Sequence, residues 1–345
     1  MNVNEQTLDF KPQWFSKMMN VNLLYLGRWS ALPTDHIEVE DAKFLEKLVN
    51  MQYMKFLSLQ GVSNIISLPD SISQLKNVKI LDLRACYNLE ILPGDIGLLK
   101  SLTHLDMSEC YLLNHMPKSL SSLIRLKVLK GFVIGRDQGK SSCGLGDLKK
   151  LKNLIKLCIY TGLEKFPDKD HVRALESLTG LKKLTITWGR DTVRAENGDG
   201  KHEKEKMEPP TDSTSNDSKQ TAKLPSKLEK LDLKCFPMSK TPSWLEPKNL
   251  KHLNLKKLYI RGGKFSDLGQ YQACNLEEIC TWKVETLSLK YLFEIELEWR
   301  QLQELFPDLV YLEQVSCPKL TFVPCDANGL WINETKPNAS QGFVS

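Results

Sequence analysis

The chain has 345 residues and carries 47 Lys and Arg against 42 Asp and Glu, a net charge of +5 that is too small an excess to imply nucleic acid. Hydrophobic residues make up 41% and charged residues 26%, enough apolar side chains for a sizeable core, which excludes disorder throughout. The first twenty residues hold no apolar signal region and no apolar run approaches the ~18 residues of a membrane span, so neither export nor a membrane helix is expected.

Nine cysteines, an odd number at irregular spacing, fit reduced thiols in a cytoplasmic protein better than a disulfide framework. The three N-x-[ST] sites beginning at Asn216, Asn333 and Asn338 are then chance matches.

Leucine is the commonest residue, at 56. The pattern L-x-x-L-x-L, with Val, Ile or Met allowed, starts at Val21, Met54, Val78, Leu102, Leu126, Leu154, Leu181, Leu228, Leu255, Val284 and, more loosely, Leu309. The intervals are 33, 24, 24, 24, 28, 27, 47, 27, 29 and 25 residues, close to the leucine-rich-repeat period. In the units from Met54, Val78 and Leu102 the agreement extends further. Leu68-Pro69, Leu92-Pro93 and Met116-Pro117 share one offset, Ile72, Ile96 and Leu120 a second, and Leu75, Leu99 and Leu123 a third.

The last two apolar residues of each motif have period two, so they point to one face of a short strand while the x residues point to the other. One unit cannot enclose its own apolar face, whereas stacked units share a leucine core and pair their strands in parallel. The expected fold is therefore an α/β leucine-rich-repeat solenoid, or horseshoe, of about 11 repeats, with a parallel concave sheet and an irregular or short-helical convex side. Cys86 and Cys110, each eight residues after a repeat start, read as small buried side chains whose weak S–H donors serve turn carbonyls.

Along the chain, residues 1–20 are a lead-in and residues 21–188 the first run of repeats. The long first interval holds the acidic stretch His36 to Asp41 and then Phe44, Leu45 and Leu48 at helical spacing, an opening unit with an enlarged loop. Residues 189–223 contain no Leu, Ile or aromatic residue and are expected to be a disordered insertion. Removing them brings the 47-residue interval near the ordinary period, so residues 224–325 continue the same solenoid. Residues 326–345 form a tail without repeats.

No catalytic constellation is found. Gly135-Arg136-Asp137-Gln138-Gly139-Lys140-Ser141 has three residues between its glycines where a P-loop needs four, and it reads as a glycine-rich turn. No zinc spacing, H-E-x-x-H or G-x-S-x-G is present, and the six histidines are scattered. No enzyme activity, metal or cofactor is expected.

The displayed surface carries the function. The residue between the last two apolar strand positions runs Tyr25, Ser58, Asp82, Asp106, Lys130, Cys158, Thr185, Asp232, Tyr259 and Ser288. The next displayed column runs Gly27, Gln60, Arg84, Ser108, Phe132, Tyr160, Thr187, Lys234, Arg261 and Lys290. Tyr, Trp and Arg are the common anchors of protein interfaces, which makes Trp29, Arg84, Tyr160, Trp188, Tyr259, Arg261 and Tyr291 the candidate protein-binding residues.

The strings LYLGRW, HIEVED, MKFLSLQGVSNIISLPDSI, VKILDLRACYNLEILPGDIGLLKSLTHLDMSECYLLNHMPKSL, LKVLKGFVIG and KLYIRGG resemble the leucine-rich-repeat region of plant coiled-coil nucleotide-binding disease-resistance receptors, over most of residues 18–325. Within that class the chain is most similar to the HopZ-activated resistance and RPP13-like group. The resemblance implies a repeat domain that senses a pathogen effector, often through a guarded host kinase or pseudokinase, and folds back on a nucleotide-binding module to hold it inactive. No P-loop, G-L-P-L or M-H-D string is present, so the resemblance implies either a fragment of a longer receptor or a truncated relative acting as a free-standing scaffold or decoy for a kinase or related receptor.

Overall fold

The computed structural model describes residues 11–27, 37–135, 141–189, 223–250, 252–269 and 281–336. Each leucine motif becomes one strand of a 12-stranded sheet. In chain order these are β1 (Leu23–Tyr25), β2 (Phe56–Ser58), β3 (Ile80–Asp82), β4 (His104–Asp106), β5 (Val128–Ile134), β6 (Lys156–Thr161), β7 (Lys183–Trp188), β8 (Lys230–Phe236), β9 (Lys257–Gly263), β10 (Thr286–Lys290), β11 (Tyr311–Val315) and β12 (Leu330–Ile332). Neighbours in sequence are neighbours in the sheet and pair in parallel. The exception is β12, which runs antiparallel to β11 and comes from the segment without repeats.

Register follows the sequence period. Leu24, Leu57, Leu81, Leu105, Leu129 and Leu157 oppose one another on consecutive strands, and Leu184, Leu231, Leu258, Leu287 and Leu312 continue the row. The row is unbroken across the longest interval, because β7 and β8 pair directly from Lys183↔Lys230 to Thr187↔Lys234. Residues 190–222, most of the expected insertion, lie outside the described residues, as do the tail residues 337–345. At the start of each strand from β2 to β11 one carbonyl of the preceding repeat accepts two successive amides. Lys79 O, for example, takes Thr103 N at 2.8 Å and His104 N at 3.0 Å.

The leucines of this row face inward and, from Leu57 onward, are buried; each such burial contributes about 1.5–3 kcal/mol relative to exposure. The opposite wall of the core comes from the return segments. Pro69 and Pro117 hold extended φ/ψ just ahead of 3-10 turns at Asp70–Gln74 and Lys118–Ser122, where a missing N–H costs nothing. The apolar columns Ile72, Ile96 and Leu120, and Leu75, Leu99 and Leu123, are all buried against the sheet. Later repeats use α-helix instead, at Lys169–Glu176, where Asp168 accepts the His171 amide at 2.9 Å, and at Trp299–Leu305.

The N-terminal end is closed by the lead-in. The helix Pro12–Ser16 sets Phe15 on Phe44, ring centroids 5.3 Å apart, beside the buried Leu45 and Leu48 of the opening unit. Cys86 and Cys110 are buried where expected, with Sγ donating to Leu59 O at 3.1 Å and Leu83 O at 3.0 Å, one repeat back in each case. Cys317 does the same toward Leu289 O at 3.4 Å. Burial raises the thiol pKa at Cys86, and at Cys110 to about 12. In the native protein these three cysteines should resist alkylation by iodoacetamide at pH 8 while the exposed Cys235 reacts; peptide mass spectrometry reads the difference.

Two features of the strand ends were not visible in the motif. Seven repeats place the residue three after the central displayed position in the left-handed region: Gly61, Ala85, Glu109, Cys235, Gly262, Tyr291 and Ser316, with φ from 53° to 70°. Their amides still serve the ladder, as in Ala85 N to Ser108 O at 2.8 Å and Tyr291 N to Val315 O at 2.8 Å. In β5, Gly131 at φ +80 inserts one residue, and the pairing with β6 shifts from Lys130↔Cys158 to Phe132↔Ile159.

Candidate protein-binding face

Strand alternation leaves three displayed side chains per repeat: one before the first strand leucine, one between the two, and one after. On β2 and β3 these sites assemble a charged network. Arg84 Nε donates to Asp82 Oδ1 and Nη2 to Asp82 Oδ2, both at 2.9 Å, while Nη2 also reaches Gln60 Oε1 at 2.8 Å. Asp82 is buried and additionally accepts Ser58 Oγ at 3.2 Å. Asp106, 3.7 Å from Arg84 Nε, takes Lys130 Nζ at 2.6 Å. The Asp82 carboxylate, by its hydrogen bonds and charge, raises the Arg84 pKa further, so its guanidinium is a permanently charged, pre-oriented group on the face.

A second group lies toward the C-terminus. Arg261 Nη2 donates to the buried Asp232 at 3.3 Å, leaving Arg261 Nε and Asp232 Oδ1 buried without a hydrogen-bond partner among the described residues. Lys230 Nζ stands 4.0 Å over the Tyr259 ring, a cation–π contact. Glu313 accepts Lys290 Nζ at 2.7 Å and Ser288 Oγ at 2.8 Å. Burial alone would raise the Glu313 pKa, but these two hydrogen bonds together with the charges of Lys290 and Arg261 hold the carboxyl below its usual range.

The predicted contact residues are thus distributed, not clustered. Arg84, two residues past β3, and Arg261 on β9 belong to repeats six strand spacings apart, about 29 Å along the sheet. Tyr160 lies half-buried between them on β6, its phenol pushed up to about 12 by burial and then by Cys158. Tyr259 joins the Arg261 group. Tyr291 is 53% exposed at the left-handed position after β10, at the rim of the sheet.

Trp188 is a correction. It is 4% exposed because it shares parity with Leu184 and Ile186 on β7, and its ring meets Phe236 edge-on at 5.1 Å, with Phe265 packed behind. Phe132, expected in the displayed column, is likewise buried, because the Gly131 insertion turns it inward and puts Val133 opposite Tyr160. Trp29 and the glycine-rich residues 136–140, including Lys140, lie outside the described residues.

Sequence reasoning missed the column that precedes the first strand leucine. There Lys156, Lys183, Lys230 and Lys257 stand in direct register on four adjacent strands. The signal was available as the recurring K-L that opens each of these strands. Among the described residues no three His, Cys, Asp or Glu side chains group as metal ligands, and no helix is long and apolar enough to cross a membrane.

Comparison with known proteins agrees with this geometry. The chain is 30% identical over 283 residues to disease resistance RPP13-like protein 4 of Arabidopsis thaliana, covering 81% of this chain and 30% of that protein's length. Among solved structures, the complex of TLR13 with the RNA ssRNA13 superposes with a TM-score of 0.54 at 18% identity, over 90% of this chain and 39% of that one. The functional domain of InlJ from Listeria monocytogenes gives 0.46 at 14% identity, over 89% and 61%. At that identity the TLR13 structure speaks to the fold alone, and the InlJ superposition is too loose to add to it. Residues 16–322 match the leucine-rich repeat region family, and the stacked motif, inward leucines and continuous parallel register are those of its solenoid: the chain belongs to that family.

Proposed function

We propose that this chain is the protein-binding repeat region of a plant intracellular immune receptor, sensing a pathogen effector or a guarded host kinase or pseudokinase, and restraining a nucleotide-binding module. The observation that carries the reading is the 30% identity to a disease-resistance protein over 81% of this chain. It is supported by a sheet face on which two arginines are held ready by buried carboxylates. Pre-oriented charged anchors lose less rotamer freedom on binding than free surface side chains do. The chain spans 30% of that relative's length, so signalling steps beyond partner binding belong to the proposal.

Sequencing the native transcript upstream of Met1 tests the receptor assignment. The expected result is a reading frame continuous with a coiled coil and an ATPase module; an in-frame stop would replace it with a scaffold or decoy that binds a kinase or related receptor. For the face itself, Arg84→Gln and Arg261→Gln together should reduce capture of the nucleotide-binding module or kinase by about tenfold or more. Because each change leaves a buried carboxylate without its cation and lowers the melting temperature, capture is compared well below the variant's own unfolding transition. Neutral replacements are used because a reversed charge would set a new carboxylate against Asp82 and Asp232. Unaltered capture would remove both arginines from the interface.

A further inference from the structure

We infer that the in-register ladder Lys156–Lys183–Lys230–Lys257 is a docking stripe for an acidic polypeptide segment of a partner protein. This deepens the protein-binding reading and rests on it. The four lysines begin adjacent strands β6 to β9, and each is paired residue-for-residue with the next, Lys156↔Lys183, Lys183↔Lys230 and Lys230↔Lys257. Strand spacing of about 4.8 Å makes the row about 14 Å long. Like charges set directly opposite on neighbouring strands are unfavourable, so the stack costs the free protein stability that a bound anion restores.

The described residues do not neutralise this row. Among the described residues none of the four ammoniums makes an ion pair, whereas the lysines one position earlier do: Lys182 with Glu229 at 2.8 Å and Lys256 with Glu285 at 3.3 Å. The nearest acid on the other flank, Asp232, is engaged by Arg261. Lys230 lies at the centre of the row with Lys183 on one side and Lys257 on the other. Burial lowers its pKa, and the charges of Lys156, Lys183 and Arg261 act with burial against Asp232.

The flanking chemistry selects the ligand class. Glu229 borders the stripe on one side, where Lys182 and Lys256 are held by Glu229 and Glu285, and Asp232 borders it on the other, so among the described residues the strip of unpaired positive charge is one residue wide. A nucleic-acid backbone, continuous in negative charge and broader, would meet those acids. A peptide carries discrete carboxylates that can be placed between them, and the ring of Tyr259 beside Lys230 offers a flat apolar contact for its backbone. At about 3.3 Å per residue, four or five extended residues span the row.

The test is fluorescence anisotropy of the full chain with a fluorescein-labelled glutamate–serine 12-mer rich in Glu, at low and physiological salt. Binding is expected to weaken about threefold for each single Lys→Gln change and about 50-fold for the quadruple variant K156Q/K183Q/K230Q/K257Q. Neutralising Lys149 and Lys150, on the 3-10 turn at Leu145–Lys150 away from the sheet, should leave affinity unchanged. The quadruple variant should melt no lower than the parent, since a repulsive stack is removed. Absence of binding, or equal binding by the quadruple variant, would overturn the inference. So would tighter ladder-dependent binding of an oligouridylate of equal charge, which would assign the stripe to nucleic acid. Absence of peptide binding by the parent chain with intact Arg84- and Arg261-dependent partner capture would sink the ladder alone. The converse would sink the partner reading and leave the ladder.

Discussion

Trp188→Ala should lower the free energy of unfolding by about 3–5 kcal/mol, the largest effect expected of any single change to a predicted contact residue. Trp188 is 4% exposed, lies on the inward row with Leu184 and Ile186, and begins an aromatic spine through Phe236 to Phe265 at centroid distances of 5.1 and 5.3 Å. Its Nε1 has no hydrogen-bond partner among the described residues, so the loss is one of packing and not of a polar contact. Trp188→Phe, which keeps a ring against Phe236, should cost much less. Urea denaturation measures the size, and amide exchange should place the damage in β7 to β9. A variant of parental stability with impaired partner capture would return Trp188 to the interface.

Gly131→Ala should destabilise by about 3 kcal/mol. An L-residue in the left-handed region costs about 1–2 kcal/mol, and forcing an atom into packed surroundings adds a comparable amount. At φ +80 a Cβ on Gly131 would collide with the Met107 carbonyl of the preceding repeat, which belongs to the backbone and has little room to yield. The repair would be to undo the insertion in β5, and that would swing Phe132 out of the core and slip the register against β6. Gly94→Ala is the control, because its Cβ would meet open space and the change should be neutral to stabilising, by no more than about 1 kcal/mol. A Gly131→Ala midpoint equal to that of Gly94→Ala would mean the inserted residue is not needed.

These two positions also mark where the sequence is readable and where it is not. Register was legible because the interval between leucine motifs and the stacking of strands are one property: Leu184 finds Leu231 as readily as Leu57 finds Leu81. The buried Cys86 and Cys110 were legible for the same reason, since a fixed offset from the motif fixes the place in the coil. Parity was legible too, and it already put Trp188 inside with Leu184 and Ile186; interface statistics for tryptophan pointed the wrong way.

Phe132 was harder, because one residue at positive φ reverses every side chain after it and no glycine count tells an inserted glycine from an ordinary one. The left-handed strand ends were hidden because only Gly61 and Gly262 of the seven are glycine. The pairing of Arg84 with Asp82 and Gln60 depends on where flexible side chains settle across two repeats, which a column of letters does not contain. The lysine ladder was in the letters but in a column adjacent to those inspected.

Direct pairing of β7 with β8 has one more consequence. Among the described residues each repeat bonds to its neighbours, and the bonds between Lys182–Thr187 and Glu229–Lys234 join the two parts of the solenoid through backbone hydrogen bonds and shared leucines. A molecule nicked anywhere in 190–222 should therefore purify as a single non-covalent heterodimer of N- and C-terminal halves. Those halves, expressed separately and mixed, should reassemble by complementation and restore the complete face.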